Sequence, residues 1–361
     1  VKIALLAPSL SAFDAVGTDV LEMAAVLRAA GHDVRLYADN AHGIAEAVHQ
    51  PSGFDAWLGP RDVVIYHYSI GWPRIEAMLE RTRARRIVRY HNITPPEFFH
   101  GYSRDHVRTC AAGRASLPRL ANLGFDLALA CSRYNLDELV AHGFPAERGR
   151  VLAPFHQVER LADLPGDTDL VDRYNDGRRN ILMLGRVAPN KAHLAVIDAF
   201  ACYRRNYRDD GARLLVVGKQ DRRLAAYTRR LFAHVAAHDI ASHVHFLDNI
   251  DDARLKSLWL GADALLMLSE HEGFCVPLVE AMAFGVPIVA RATSAIPDTL
   301  GDAGIIWDET DPRIYAASLA RVFRDAALAQ ALRDAGRARY RREFRREIGV
   351  ARLLDAIGSL A

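Results

Sequence analysis

The 361-residue chain is short of several things, and each shortage excludes something. Its four cysteines, Cys110, Cys131, Cys202 and Cys275, show neither CxxC spacing nor a cysteine/histidine ligand pattern. No zinc site can be read from them, and scattered thiols of this kind suit a reducing, cytosolic compartment. A basic excess is also missing, since 46 lysines and arginines face 44 acids for a formal net charge of +2. Nucleic-acid binding normally needs a dominant positive surface, so nucleic acid is not an expected partner. No apolar run approaches the roughly 18 residues of a membrane span, and the opening VKIALLAPSL is too short for a signal peptide. A cytoplasmic location follows as the expectation.

What is present is a globular composition, 50% apolar and 25% charged. That is enough to fill two cores, and a chain of this length favours two domains over one. VKIALLAP reads as a buried strand, GTDVLEMAAVLRAAGHDV as an amphipathic helix closed by Gly31, and DVRLYAD as the next strand. Apolar runs at DVVIYHYS, RRIVRYHN and FDLALACS alternate with helical patterns, which implies a parallel sheet covered on both faces. Between residues 153 and 179 the pattern lapses into turn formers and charges. It resumes at NILMLGRV and continues through ARLLVVGK, HVHFLD, ADALLMLS, VPIVA and AGIIW, with helices expected from about Lys191 to Tyr207 and from about Arg223 to Asp239. The expected fold is α/β, with two doubly wound Rossmann-like domains facing a central cleft. Its expected divisions are residues 1–155, a linker at 156–178, a second domain at 179–335, and a terminal helix at 336–361 that returns to the first domain. Ligands of open α/β sheets bind at the carboxyl ends of the strands.

At one such end stands SEHEGFCVPLVEAMAFGVPIVA. Pro277 suits the first helical position and Gly285 the position just past the helix. Glu272 then falls in the loop and Glu280 in the first helical turn, flanking the amides of Gly273, Phe274 and Cys275. Amides at a helix N-terminus favour phosphate or sugar oxygens, and Gly273 permits close approach. An ionised carboxylate only accepts hydrogen bonds, so the partners expected for the two acids are hydroxyls, such as a vicinal diol. Hydroxyls, a diphosphate and more hydroxyls make a nucleotide sugar. The alternative is a loop charge plus an acid that stabilises the helix dipole. In MLGRVAPNK, Arg186 and Lys191 follow a strand and stand where they would neutralise a diphosphate, and Lys191 is one of only four lysines in the chain. A solvated surface pair is the alternative there.

GRVAPNK, LLVVGK, HVHFLDNI, LWLGADALLMLSEHEGFCVPLVEAMAFGVPIVA and GIIW together resemble the successive signatures of retaining glycosyltransferase family 4, over most of residues 180 to 310. The resemblance implies the GT-B fold. It puts Glu280 on the ribose hydroxyls, Glu272 and the following amides on the transferred sugar, Arg186 and Lys191 on the diphosphate, and the base near Asn249, Ile250 and Val279. It also implies that His91, in RYHNITPPEFF, contacts the transferred sugar and that Ser132, in ACSRYN, lies near the donor. A structural histidine and a helix-capping serine are the competing readings. The glycine-rich loop usual after the first strand is reduced here to Gly17 and Thr18, whose amides open the first helix.

The implied activity is retaining, metal-independent transfer of a hexose from GDP-mannose or a UDP-hexose to a hydroxyl of a glycan or lipid-linked acceptor, in bacterial polysaccharide or glycoconjugate synthesis. Front-face displacement needs no protein nucleophile. The catalytic set is then His91, Arg186, Lys191 and Glu272, with the nucleotide sugar as co-substrate and no further cofactor. The DTD at 167–169 sits in the expected linker, away from any strand end, so no metal is expected. RTRARRIVR and RARYRREFRRE read first as solvated faces. Their alternative is peripheral contact with an anionic membrane, at roughly 1 kcal/mol per basic residue. Rival classes are a glycoside-cleaving enzyme, which also uses paired acids, a nucleotide-sugar epimerase, and a non-catalytic nucleotide-sugar binder. A dehydrogenase lacks its GxGxxG.

Overall fold

The computed structural model describes residues 1–12 and 14–360. The chain forms two compact units. Unit 1 comprises residues 1–96, 105–157 and 345–361, and unit 2 comprises residues 97–104 and 158–344.

Unit 1 is built on a seven-stranded parallel sheet of β1 (Lys2–Leu6), β2 (Asp33–Tyr37), β3 (Val48–His49), β4 (Val63–Tyr68), β5 (Arg85–Tyr90), β6 (Leu127–Ala130) and β7 (Gly149–Val151), in the order β3-β2-β1-β4-β5-β6-β7. Every residue of β4 is buried, as a strand covered on both faces requires. Asp14 caps the helix Ala15–Ala29, whose Val20, Met23, Ala24 and Leu27 recur at helical spacing and enter the core. Leu353, Ala356 and Ile357 of the last helix, Arg346–Gly358, enter the same core. A small parallel ladder of Ser9–Ser11 with Asn40–His42 lies beyond the main sheet's register.

Unit 2 repeats the plan with six parallel strands, β8 (Asn180–Leu184), β9 (Arg213–Val217), β10 (Val244–Leu247), β11 (Ala264–Met267), β12 (Ile288–Arg291) and β13 (Ile305–Trp307), ordered β10-β9-β8-β11-β12-β13. The order turns back between β8 and β11, so the loops after these two strands flank the switch point where such sheets take ligands.

The structure differs from the sequence expectation at three places. Residues 156–178 are not a bare linker, because they contain the helices Val158–Asp163 and Thr168–Tyr174, and from Val158 on they belong to unit 2. Asp167 of the DTD triplet caps the second of these by accepting from the Leu170 amide. The end is not one helix from residue 336, since Ala326–Arg339 runs into a π-turn at Tyr340–Phe344 and the return to unit 1 begins at Arg345. The arginine run 81–89 is not one solvated face either: Arg81, Arg83 and Arg85 are exposed, Arg86 donates to the Leu79 and Leu123 carbonyls, and Arg89 is fully buried.

Candidate functional site

Four loops that follow strands of unit 2 hold residues in the left-handed region: Ala192 (φ 52°), Asn249 (φ 53°), Cys275 (φ 77°) and Ser294 (φ 45°). Non-glycine residues avoid this region at a cost of about 1–3 kcal/mol, and such strain collects where function demands it.

After β8, Arg186 is held between two pinned neighbours, since the Gly185 amide donates to Val217 O and the Val187 amide to Lys219 O. Gly218 makes this approach feasible: a Cβ there would lie 1.9 Å from the Gly185 carbonyl oxygen. The Arg186 side chain is exposed and, among the described residues, has no hydrogen-bond or ionic partner. A 3₁₀ turn, Pro189–Lys191, then leads through Ala192 into the helix His193–Tyr207. The Lys191 Nζ lies 2.6 and 2.7 Å from the two carboxylate oxygens of Glu272, and both side chains are largely buried.

The Glu272 loop is fixed along its length. Asn190 Nδ2 donates to the His271 carbonyl and Asn190 O accepts from the Glu270 amide. The Glu272 amide donates to Ser294 Oγ at 2.7 Å, and Thr299 Oγ1 donates to the Phe274 carbonyl. Among the described residues, the amides of Gly273, Phe274 and Cys275 donate to no protein group. They precede the helix Val276–Phe284, which has Cys275 as its N-cap, proline in its first turn and Gly285 as its C-cap. Consecutive free amides at a helix N-terminus make an anion-binding nest.

Glu280 is in the second turn of that helix, not the first, because the helix starts at Val276 and not at the proline. Its Oε2 is enclosed without a hydrogen-bond partner, and burial pushes the carboxyl up to about 7, partly offset by the neighbouring Trp259 indole. Burial also pushes the Cys275 thiol well up, with Glu272 adding to the rise and Lys191 opposing it.

Val279 does not line this site. It is 0% exposed, on the buried face of the same helix. Asn249 and Ile250 follow the edge strand β10, two strands from β8, and no hydrogen bond or ion pair joins them to Lys191, Glu272 or Glu280 among the described residues.

In unit 1, the Gly17 amide donates to Asp14 Oδ1 at 2.8 Å and the Thr18 amide to Asp14 O, so both amides are already occupied. The value of Gly17 is steric, since a Cβ there would lie 1.6 Å from Ser11 O. Ser132 is 1% exposed, and its hydroxyl caps the helix Arg133–Ala141 by accepting from the Asn135 amide. Its structure is that of a cap, which is the competing reading from the sequence.

His91 belongs to a network that the sequence did not reveal. Its Nε2 lies 3.0 Å from His67 Nδ1, the two rings stack at 5.2 Å, and its Nδ1 lies 3.6 Å from Cys131 Sγ. Beneath them the Arg89 guanidinium grips Asp19 through Nε–Oδ2 at 2.8 Å and Nη2–Oδ1 at 3.1 Å, and the Phe155 amide also donates to Asp19. Burial holds both imidazoles below their ordinary value, His91 at about 4, so both are neutral near pH 7. Burial alone would raise the Asp19 carboxyl, but Arg89 and the imidazoles bring it down to about 2. Only the motif-bearing strand ends were visible in the sequence. Asp19, on a helix, carried no such signal.

The fold is that of a known class. The solved sucrose-phosphate synthase from Thermosynechococcus elongatus superposes with a TM-score of 0.78 at 18% identity, covering 99% of this chain and 98% of that one, which defines a GT-B fold. Residues 171–339, a little under half of the chain, match the family model described as Glycosyl transferases group 1. It is 31% identical over 183 residues to a D-inositol 3-phosphate glycosyltransferase from Salinispora tropica, covering 49% of this chain and 38% of that protein. It is 28% identical over 253 residues to a GDP-mannose-dependent alpha-(1-6)-phosphatidylinositol monomannoside mannosyltransferase from Mycobacterium tuberculosis, covering 67% of this chain and 64% of that protein. The chain thus spans less than two thirds of the length of these relatives. Among the described residues, no helix is long and apolar enough to cross a membrane.

Proposed function

We propose that unit 2 binds a nucleotide diphosphate sugar and that the protein transfers its sugar, with retention and without a metal, to a hydroxyl of a glycan or lipid-linked acceptor. The observation that carries this reading is the Lys191–Glu272 pair set beside three free amides, with the enclosed Glu280 Oε2 on the helix that these amides precede. A diphosphate has a use for the amides, for Lys191 and for the unpartnered Arg186. A diol satisfies the Glu280 oxygen that nothing else satisfies. Glu272, held in place by Lys191 and Ser294, keeps lone pairs for sugar hydroxyls. As the bond to the sugar breaks, charge grows on the departing diphosphate, and Arg186, Lys191 and the amides stabilise it without reorganising. Transfer of this kind needs no protein nucleophile.

GDP-mannose is the first donor to try, because a relative's name specifies it. The test is release of nucleoside diphosphate and appearance of product with GDP-mannose, UDP-glucose and other donors, with and without a chelator, and with the product's anomeric configuration read by NMR. The expected result is chelator-insensitive turnover with retention, and Lys191→Ala and Glu272→Gln each lower kcat by about 10²–10³. Turnover of a glycoside without any nucleotide, or no binding of nucleoside diphosphates at all, would overturn the reading. If the exposed Arg81, Arg83 and Arg85 meet a membrane, the protein will co-sediment with vesicles containing anionic lipid and not with neutral ones.

A further inference from the structure

Among the described residues, two groups of side chains bring metal-ligating atoms together, and they differ in one respect. In the first, Asp19, His67 and His91, the carboxylate is already gripped by a buried arginine and lies, with His67, fully buried. A cation there would face a fixed positive charge. In the second, Asp198, His234 and His238, no such competitor is present. Asp198 lies on the helix His193–Tyr207, while His234 and its i+4 neighbour His238 lie on and just past the helix Ala225–Ala237. Both Nε2 atoms point at the same carboxylate oxygen, Asp198 Oδ1, at 2.7 and 2.8 Å. Among the described residues, neither oxygen of Asp198 has an arginine or lysine partner.

We propose that Asp198, His234 and His238 form a binding site for a divalent transition metal of the zinc class. Histidines four apart on a helix project from one face, which is the spacing by which helices present two imidazoles to one ion. Two nitrogens and one carboxylate oxygen make the donor set of a three-ligand zinc site, with the fourth position left to water. The side chains are 25–37% exposed, so a solvent ligand has access. In a tetrahedral site with bonds of about 2.0–2.1 Å, adjacent ligand atoms lie about 3.3 Å apart. The two existing contacts need to lengthen by roughly half an ångström, which small side-chain rotations supply. The imidazoles bind as neutral ligands through Nε2, with the ring proton on Nδ1. The nitrogen-rich set selects Zn²⁺, Ni²⁺ or Cu²⁺ over Mg²⁺ and Ca²⁺, which prefer oxygen. The ion would tie together two neighbouring helices of unit 2, the first of which starts two residues after Lys191.

The test is isothermal titration of the tag-free full chain with ZnCl₂ and separately with MgCl₂, alongside the visible absorption of the Co²⁺-loaded protein. One Zn²⁺ per chain, no Mg²⁺ binding at the same concentrations, and Co²⁺ bands of tetrahedral intensity are expected. His234→Ala, His238→Ala and Asp198→Asn should each weaken Zn²⁺ at least about ten-fold. His42→Ala, an exposed histidine of unit 1, should leave it unchanged. Circular dichroism of each variant separates loss of the ligand from loss of the fold, and a misfolded alanine variant is replaced by His→Gln. Zn²⁺ affinity that is unchanged in the folded His234 and His238 variants would overturn the proposal, as would failure of the parent chain to bind Zn²⁺ at micromolar concentration. Neither result bears on sugar transfer, which is measured independently.

Discussion

At Glu280 the enclosed Oε2, which has no hydrogen-bond partner, makes pH a direct probe of the site. Its pKa is raised from 4.5 to about 7 by burial, so between these values the folded protein keeps a proton that the unfolded chain has released. Stability of the ligand-free protein therefore falls as pH rises from 4.5 toward 7 and is flat above, a change of about 3 kcal/mol if no other group intervenes. The ionised form is the one that accepts diol hydrogen bonds, so affinity for a nucleoside diphosphate should rise as pH goes from 6 to 8. Titration calorimetry at three pH values checks this, and Glu280→Gln should flatten the profile and weaken binding. The Lys191–Glu272 pair gives a second residue-scale test. Removing Lys191 alone strands a buried carboxylate, at a cost of about 2–4 kcal/mol in denaturant unfolding. Lys191→Met with Glu272→Gln should recover most of that stability and none of the turnover. Asp19→Asn should strand the Arg89 charge in the same manner, lowering stability by about 3–5 kcal/mol. Arg186, Lys191 and Glu272 were legible as candidates because each falls in a loop just past a strand run, and Glu280 because Pro277 marks the helix that carries it. The pairing of Lys191 with Glu272 was not, since it joins loops 81 residues apart. Ser132 shows the converse limit, for a serine at a strand end reads identically whether its hydroxyl binds a ligand or caps a helix.

At the scale of elements, the loops after β8 and β9 approach so closely that Gly218 leaves no room for a side chain. Gly218→Ala should displace Gly185 and with it Arg186, costing several kcal/mol on thermal unfolding and weakening diphosphate binding more than it perturbs unit 1. The strands themselves were readable because buried parallel strands are short apolar runs with turn formers at their ends. The runs over β1, β4, β8 and β11 each contain the strand observed. Pro277 and Gly285 marked the ends of their helix to within a residue. What escaped was backbone geometry without a compositional mark. Cys275 adopts a left-handed conformation that cysteine does not advertise, and this starts the helix one residue early and moves Glu280 into the second turn. The helices at 158–174 escaped because they are short and polar, and such segments carry little periodic signal.

At the scale of the molecule, the last helix is a structural part of unit 1. Leu353, Ala356 and Ile357 sit in its core, Arg346 pairs with Glu22, and Arg150 reaches Asp355 at 2.7 Å. A chain ending after Phe344 should lose the unfolding transition of unit 1, or have it lowered by many degrees in scanning calorimetry, while the transition of unit 2 persists. The same feature sets an order of events during synthesis. Residues 158–344 leave the ribosome with nearly all of unit 2 present, along with residues 97–104 that precede them. The first sheet, although made first, must wait with part of its apolar face uncovered until residues 346–358 follow. The unit that starts the chain is thus the last to be completed, and during that wait it is the part most in need of a chaperone.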